Sequence, residues 1–332
     1  MSKGGAGFSL PLATGLLAVL MVSALAPLIG TEPIDYAKVW AGVWPDREIF
    51  LDFRLPRVAL ALLTGAALAG AGVLFQALLR DALATPYTLG VSSGASLGAV
   101  CAICFNLPPL LGLPAAEITA LGGALGALAL VLAIAGGGRR MSSFTLLLAG
   151  VTMNSMAMAL ILLLHSMANF AQSFAIAHWL MGGLEAPGWT HLGLLAGVIA
   201  ALAAVAMWGA RSWNLLAVGE EWAASRGVSP RRLLLTGYLT ASLLTAAVTA
   251  LTGPIGFVGL IVPHALRLRF GSDHRLLLPC SFLYGAAFLV ACDILSRTLL
   301  RATEIPVGVI TALLGGPLFI ALLRSGRKSL WL

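Results

Sequence analysis

The sequence predicts an all-α, polytopic membrane protein with about ten transmembrane helices. Of its 332 residues, 59% are hydrophobic and only 10% are charged, and the mean hydropathy is +0.97. These values lie far from those of soluble globular domains. Long stretches without a formal charge recur along the chain, and nearly all of them have the roughly 20 residues that a membrane-spanning helix needs. They run over 4–31, 58–79, 82–116, 118–138, 141–184, 186–210, 233–266 and 305–323.

We expect ten spans within a single transmembrane domain that covers residues 1–332. The first span has the length and composition of the others, which argues against a cleaved secretory signal. The eighth span, 255–268, is too short to cross a bilayer alone, and a second short apolar segment is expected within 171–184. Such broken helices are tolerated where they pack inside protein. The ten predicted spans are 10–29, 58–79, 88–105, 118–136, 143–164, 190–209, 233–251, 255–268, 276–301 and 307–323.

The distribution of basic residues predicts that both termini are cytoplasmic. With that orientation, fourteen of the twenty Lys and Arg residues lie on the cytoplasmic side, as the positive-inside rule requires. The fourteen are Lys3, Arg80, Arg139, Arg140, Arg211, Arg226, Arg231, Arg232, Arg267, Arg269, Arg275, Arg324, Arg327 and Lys328. The outer side keeps Lys38, Arg47, Arg54, Arg57, Arg297 and Arg301. Topology therefore accounts for the net charge of +7, and no basic stripe with interleaved aromatic residues indicates nucleic acid.

Missing motifs exclude several enzymatic functions. The chain has no G-x-x-x-x-G-K-[ST] phosphate loop, so it is not itself an ATPase. Its five histidines form no H-E-x-x-H pair of zinc ligands. Cys101 and Cys104 make a C-x-x-C, but they lie in an apolar run without other ligands, and helix packing explains them better. We expect no catalytic residue, no metal site and no cofactor.

An ion-coupled secondary transporter is the alternative function. Such a carrier needs acidic or basic side chains within the membrane to bind the coupling ion or proton. Only Asp293 lies well inside a predicted span, and Arg297, one helical turn further on, is its expected partner. Gln76, Asn154 and Gln172 are uncharged polar residues in or beside spans, and hydrogen bonding between helices is their expected role.

Residues 212–230 form the one long cytoplasmic connection. Gly219 and Gly227 are expected to divide it into two short helices. The segment mixes apolar and charged side chains, which fits either a loop lying on its own membrane surface or a loop that docks a cytoplasmic partner. The residues alone leave both interpretations open.

A series of ordered motifs between residues 54 and 323 resembles the FecCD-type permeases of type II ABC importers. The series begins with Arg-Leu-Pro-Arg at 54–57 and a glycine-rich segment at 65–76. It continues with LATPYTLGVSSGA at 83–95, LLLAGV at 146–151, WLMGG at 179–183, GFVGLIVPH at 256–264 and EIPVG at 304–308.

The resemblance implies a permease subunit in a bacterial or archaeal cytoplasmic membrane. It implies a homodimer that binds two cytoplasmic ATPase subunits and receives a bulky metal chelate from an extracytoplasmic binding protein. Ferric siderophore, haem and vitamin B12 all remain open as substrates. The WLMGG segment at 179–183 leans slightly towards the vitamin B12 branch of the family.

The resemblance also implies roles for three sets of residues. Arg54, Arg57 and Arg297 resemble the arginines that dock the binding protein, although snorkelling, or pairing of Arg297 with Asp293, would also explain them. Residues 215–230 resemble the helices that couple the ATPase to transport. The coupling residues are Leu215, Leu216, Gly219, Glu220, Glu221, Trp222, Arg226 and Gly227.

The third set is an inner gate formed by two segments. Ser142 and Ser143 lie before the fifth span, where helix N-capping is the competing explanation. Asp81 and Leu83 follow the second span. The family usually has Asn-Pro where this chain has Asp81 and Ala82, which places a possible charge beside Arg80.

Overall fold

A computed structural model describes residues 6–30, 32–110, 112–136, 142–300 and 303–325. Helices are the only regular elements in these ranges, which confirms the all-α prediction. Seven helical segments are long and apolar enough to cross a membrane, so the protein is polytopic. These segments are Ser9–Leu28, Asp46–Leu79, Ala115–Gly136, Ser143–Met167, Trp189–Trp208, Pro230–Thr252 and His274–Thr298.

The helices follow one another with short connections, and a π-helical turn, Ile49–Arg54, precedes the fourth. In chain order they are α1 Ala6–Leu25, α2 Tyr36–Ala41, α3 Asp46–Glu48, α4 Leu55–Leu79, α5 Val91–Cys104, α6 Ala115–Gly136, α7 Ser143–Met167, α8 Phe170–Met181, α9 Trp189–Trp208, α10 Ala210–Val218, α11 Glu220–Ser225, α12 Pro230–Thr252, α13 Val258–Phe270, α14 His274–Thr298 and α15 Val307–Ser325.

The seven long segments coincide with seven of the ten predicted spans. Of the other three, α5 and α15 are shorter apolar helices, and α13 has only 13 residues, as its sequence predicted. The expected short segment within 171–184 is α8, which has 12 residues. The total of ten spans remains a prediction.

Helix α4 lies at the centre of the bundle and packs against α9, α12, α13 and α14. Its close approach to its neighbours depends on glycine. A Cβ added to Gly72 would lie 1.9 Å from the carbonyl oxygen of Gly259, and one added to Gly65 would lie 2.2 Å from that of Gly285. Small residues therefore bring the backbones of α4, α13 and α14 into contact, as is common in membrane helices.

Polar side chains that the sequence predicted to bond between helices do so in two cases. Gln76 Nε2 on α4 donates to the carbonyl oxygen of Gly259 at 3.1 Å. Gln172 Nε2 on α8 donates to the carbonyl oxygen of Cys104 at 2.9 Å, and the same side chain completes a capping box with Asn169. Asn154 is exposed on α7.

The loop at 212–230 forms two short helices, as predicted. Gly219 separates α10 from α11, and Gly227, with φ +79°, turns the chain towards α12. We call the end of the bundle that carries this loop the inner end, and the opposite end, where α4 begins, the outer end.

The predicted orientation in the membrane rests partly on residues that the structure does not describe. Lys3, Arg139, Arg140, Arg301, Arg327 and Lys328 lie outside the described ranges. The direction of α4 puts Arg57 at the outer end and Arg80 at the inner end. Helix α14 runs the opposite way, so Arg275 is at the inner end and Arg297 at the outer end. The assignment of the termini to the cytoplasm stays a prediction.

Candidate functional site

An open cavity of about 580 Å³ at the outer end brings the three predicted docking arginines together. Its walls come from the start of α4, the end of α14, the connection before α15 and the segment after α8. Acidic side chains line it as well, namely Glu32, Glu185 and Glu304. The surface therefore carries both signs of charge.

A buried carboxylate organises this cluster. Asp293 is 0% exposed and lies between two guanidinium groups. Its Oδ1 is 2.9 Å from Arg57 Nε, and its Oδ2 is 2.9 Å from Arg297 Nη2. The pair with Arg297 that the sequence predicted is thus present, and Arg57 is a second partner. A buried charge needs such pairing, because an uncompensated charge away from water is costly.

Arg54 and Arg297 point into the protein. Arg297 is 4% exposed, and its Nη1 donates to the carbonyl oxygen of Ile29 at 2.6 Å. Arg54 is 7% exposed, and its Nη1 donates to the carbonyl oxygen of Pro27 at 3.1 Å. Both side chains therefore hold the end of the first span against α4 and α14.

Arg57 is the most solvent-exposed of the three arginines. Its side chain is 18% exposed, and its Nη1 lies 2.6 Å from Glu304 Oε2. Glu304 is 40% exposed, so this ion pair lies on the wall of the outer cavity. Glu304 opens the EIPVG motif but is not among the site residues that the sequence predicted.

A groove of about 1,020 Å³ at the inner end joins predicted gate and coupling residues. It is lined by the turn after α4, the start of α7, and α11. The predicted site residues in its lining are Ser142, Gly219, Glu220, Glu221 and Trp222, and Arg80 lies among them.

The two gate segments are each held by local hydrogen bonds. Ser142 caps α7, because its Oγ accepts from the backbone N–H of Thr145 at 3.2 Å. Asp81 Oδ1 accepts from the backbone N–H of Leu83 at 2.9 Å, which forms a tight Asx turn. Leu83 itself is 47% exposed. The carboxylate of Asp81 therefore stabilises its own turn. Arg80 instead forms an ion pair with Glu220, in which Nη2 and Oε1 are 3.5 Å apart.

The predicted coupling residues divide between the core and the surface. Leu216 is 0% exposed and belongs to the hydrophobic core, next to the equally buried Trp213. Trp222 is 47% exposed, and the guanidinium of Arg226 lies 4.8 Å from the centre of its ring. Val218 is also exposed. An exposed apolar surface with flanking charges is a suitable docking face.

A polar connection between α10 and α14 was not predicted. Asn214 Nδ2 donates to Asp273 Oδ1 at 2.8 Å, and Asn214 Oδ1 accepts from the backbone N–H of His274 at 2.8 Å. Hydrogen bonds from Arg275 and Asn214 hold the pKa of Asp273 well below its usual range. These contacts fix α10 to the start of α14.

Comparisons with known proteins agree with this architecture. The FecCD transport family model matches residues 16–325. The hemin transport system permease protein HmuU of Yersinia pestis is 37% identical over 94% of this chain and 95% of its own length. The cobalamin import system permease protein BtuC of Halobacterium salinarum is 44% identical over 82% of this chain and 72% of its own length. A solved structure described as an inward-facing metal-chelate type ABC transporter has a TM-score of 0.83 and 30% identity, covering 96% of this chain and 99% of that one. The chain therefore belongs to the FecCD transport family, as a multi-pass membrane permease.

Proposed function

We propose that this chain is the membrane-spanning permease of an ABC importer for a bulky metal chelate. Haem, vitamin B12 and ferric siderophores are the candidate substrates, delivered by an extracytoplasmic binding protein. The similarity to a hemin permease over 94% of this chain and 95% of the relative is the observation that carries the proposal, because it spans both ends of the bundle.

Assembly as a homodimer with two cytoplasmic ATPase subunits follows from the proposed function. The sequence has no phosphate loop, so ATP hydrolysis belongs to a separate subunit. The inner groove and the exposed ring of Trp222 offer that subunit an apolar contact beside charged side chains.

The test of the ATPase contact is Trp222→Asp in the assembled transporter. A carboxylate in an apolar interface core is unfavourable, so we expect the ATPase subunits to be lost on copurification while the spans remain inserted. Trp40→Asp is the matched control, since Trp40 is 86% exposed at the outer end. Leu216 is unsuitable for this test, because a change in the core would disturb folding. Full copurification of Trp222→Asp would contradict the proposed docking face.

The outer cavity is the proposed docking site for the binding protein, through Arg54, Arg57 and Arg297. Arg54 and Arg297 are buried in the cavity wall. Arg57 and Glu304 place charged groups at the surface of the cavity. Charges at a rim mainly steer association. Arg57→Gln should therefore slow association of the binding protein and flatten its salt dependence, whereas Lys38→Gln, on α2, should not. An unchanged salt series for Arg57→Gln would assign this arginine to internal structure alone.

The ion-coupled alternative has little support from the geometry. The carboxylate of Asp293 is fully buried and is held between two guanidinium groups, with N–O distances of 2.9 Å to each. A coupling carboxylate must instead change its protonation or bind a cation during the cycle. Asp293 is therefore better explained as a structural group.

A further inference from the structure

Three helix ends meet at the carboxylate of Glu220. Its Oε1 lies 3.0 Å from Ser143 Oγ and 3.4 Å from Ser143 N, at the start of α7. The same oxygen lies 3.5 Å from Nη2 of Arg80, the C-cap residue that follows α4. Glu220 itself begins α11. We call Arg80, Ser143 and Glu220 the inner junction.

The contact with α7 has a clear physical basis. The first backbone N–H groups of a helix lack partners within the helix, and the helix dipole adds a partial positive charge there. The carboxylate of Glu220 supplies a negative charge and an acceptor at this position. Helix α7 is continuous over 25 residues. A movement of its first turn would therefore move the whole helix.

The hydroxyl of Ser143 extends the junction to α4. It lies 2.6 Å from the carbonyl oxygen of Leu78, in the last turn of α4, as well as 3.0 Å from Glu220. A single hydroxyl proton is therefore placed between two acceptors on different helices. Ser143 is 4% exposed, so water competes weakly for these bonds.

We propose that Glu220 is a positioning residue that links the coupling helices to both segments of the inner gate. The proposal rests on the proposed function and adds the route by which ATPase movement reaches the gate. Arg80 leads directly into the segment with Asp81 and Leu83, and Ser143 lies beside Ser142. A displacement of α11 by the ATPase subunits therefore acts on the two gate segments together.

The experiment measures gate accessibility in proteoliposomes that contain the full transporter. Leu83→Cys introduces a reporter thiol at an exposed gate position, after the four free native cysteines have been replaced. The labelling rate with a membrane-impermeant maleimide is compared with and without ATP and vanadate. ATP hydrolysis and copurification of the ATPase subunits are measured on the same samples.

Nucleotide is expected to change the labelling rate in the otherwise wild-type background. Glu220→Gln should reduce the nucleotide-dependent change in labelling rate at least about fivefold, because allosteric coupling between two sites is typically worth a factor of about 5 or more. Ser143→Ala should also reduce the response, and the double variant should lose less than the sum of the two single losses, because both changes break the contact between Ser143 and Glu220. Ser155→Ala is the control, since its hydroxyl bonds to Val151 O of its own helix at 3.1 Å.

The proposal is overturned if Glu220→Gln and Ser143→Ala both keep the full response to nucleotide. If Glu220→Gln loses the ATPase subunits, Ser143→Ala decides, because Ser143 is 4% exposed and does not line the inner groove. A lost response with bound subunits then supports the junction, and a full response overturns it. A wild-type background that binds no ATPase subunits would instead refute the proposed function together with the junction.

Discussion

Replacing Asp293 by Asn should be among the most destabilising isosteric changes in this protein. The substitution keeps the side-chain shape but removes the charge that faces Arg57 and Arg297 at 2.9 Å each. Because the side chain of Arg297 is 3% exposed, its charge would remain buried without compensation. Breaking a buried ion pair from one side costs about 3–5 kcal/mol. The remaining hydrogen bond from Arg297 to Ile29 O keeps the expected loss within that range.

Glu304→Gln is the matched control in the same cluster. It removes the second carboxylate that faces Arg57. Because the side chain of Glu304 is 40% exposed, this ion pair should contribute only about 0–1 kcal/mol to the free energy of unfolding. The free energy of unfolding of each variant is measured by unfolding the purified protein in mixed micelles of detergent and SDS, followed by tryptophan fluorescence. Asp293→Asn combined with Arg297→Gln should recover part of the loss, because the uncompensated charge is gone. Equal, small losses for Asp293→Asn and Glu304→Gln would refute this account of the outer cluster.

Two further predictions concern the inner end and the bundle core. The lowered pKa of Asp273 means that its charge stabilises the fold fully above pH of about 4 and progressively less as the pH falls. Asp273→Asn should therefore lower the unfolding temperature at pH 7, and its difference from wild type should shrink by pH 3; a constant difference would contradict this. Gly72→Ala should abolish the yield of monodisperse protein, because its Cβ would overlap Gly259 O, whereas Gly126→Ala, with nothing within 4 Å of its Cβ, should be tolerated. Equal yields would contradict the close approach.

The helices could be predicted from the sequence because lipid imposes simple requirements. Apolar length set the seven long spans, and Ser142 marked the start of α7 through its capping side chain. Gly219 marked the division of the 212–230 segment into α10 and α11 for a similar local reason. The short helices were harder, since α8 and α13 depend on the protein around them rather than on bilayer thickness.

The contacts of the site could not be predicted in the same way. Arg57 and Asp293 are 236 residues apart in the chain, and Ser143 and Glu220 are 77 apart, so local pattern says nothing of their distances in the fold. The mixed apolar and charged pattern of residues 212–230 also left open which apolar side chains are exposed. The structure buries Leu216 in the core and leaves Trp222 at the surface, a division that depends on how α10 and α11 pack.

Transport by a fully reconstituted system tests the central claim most directly. Proteoliposomes would contain this chain with its ATPase subunits, and the binding protein would be supplied outside with haem or vitamin B12 in parallel. The account predicts uptake of a chelate that requires ATP, stops with vanadate and continues when ionophores collapse all ion gradients. Uptake by this chain alone, driven by an ion gradient and independent of ATP, would contradict it.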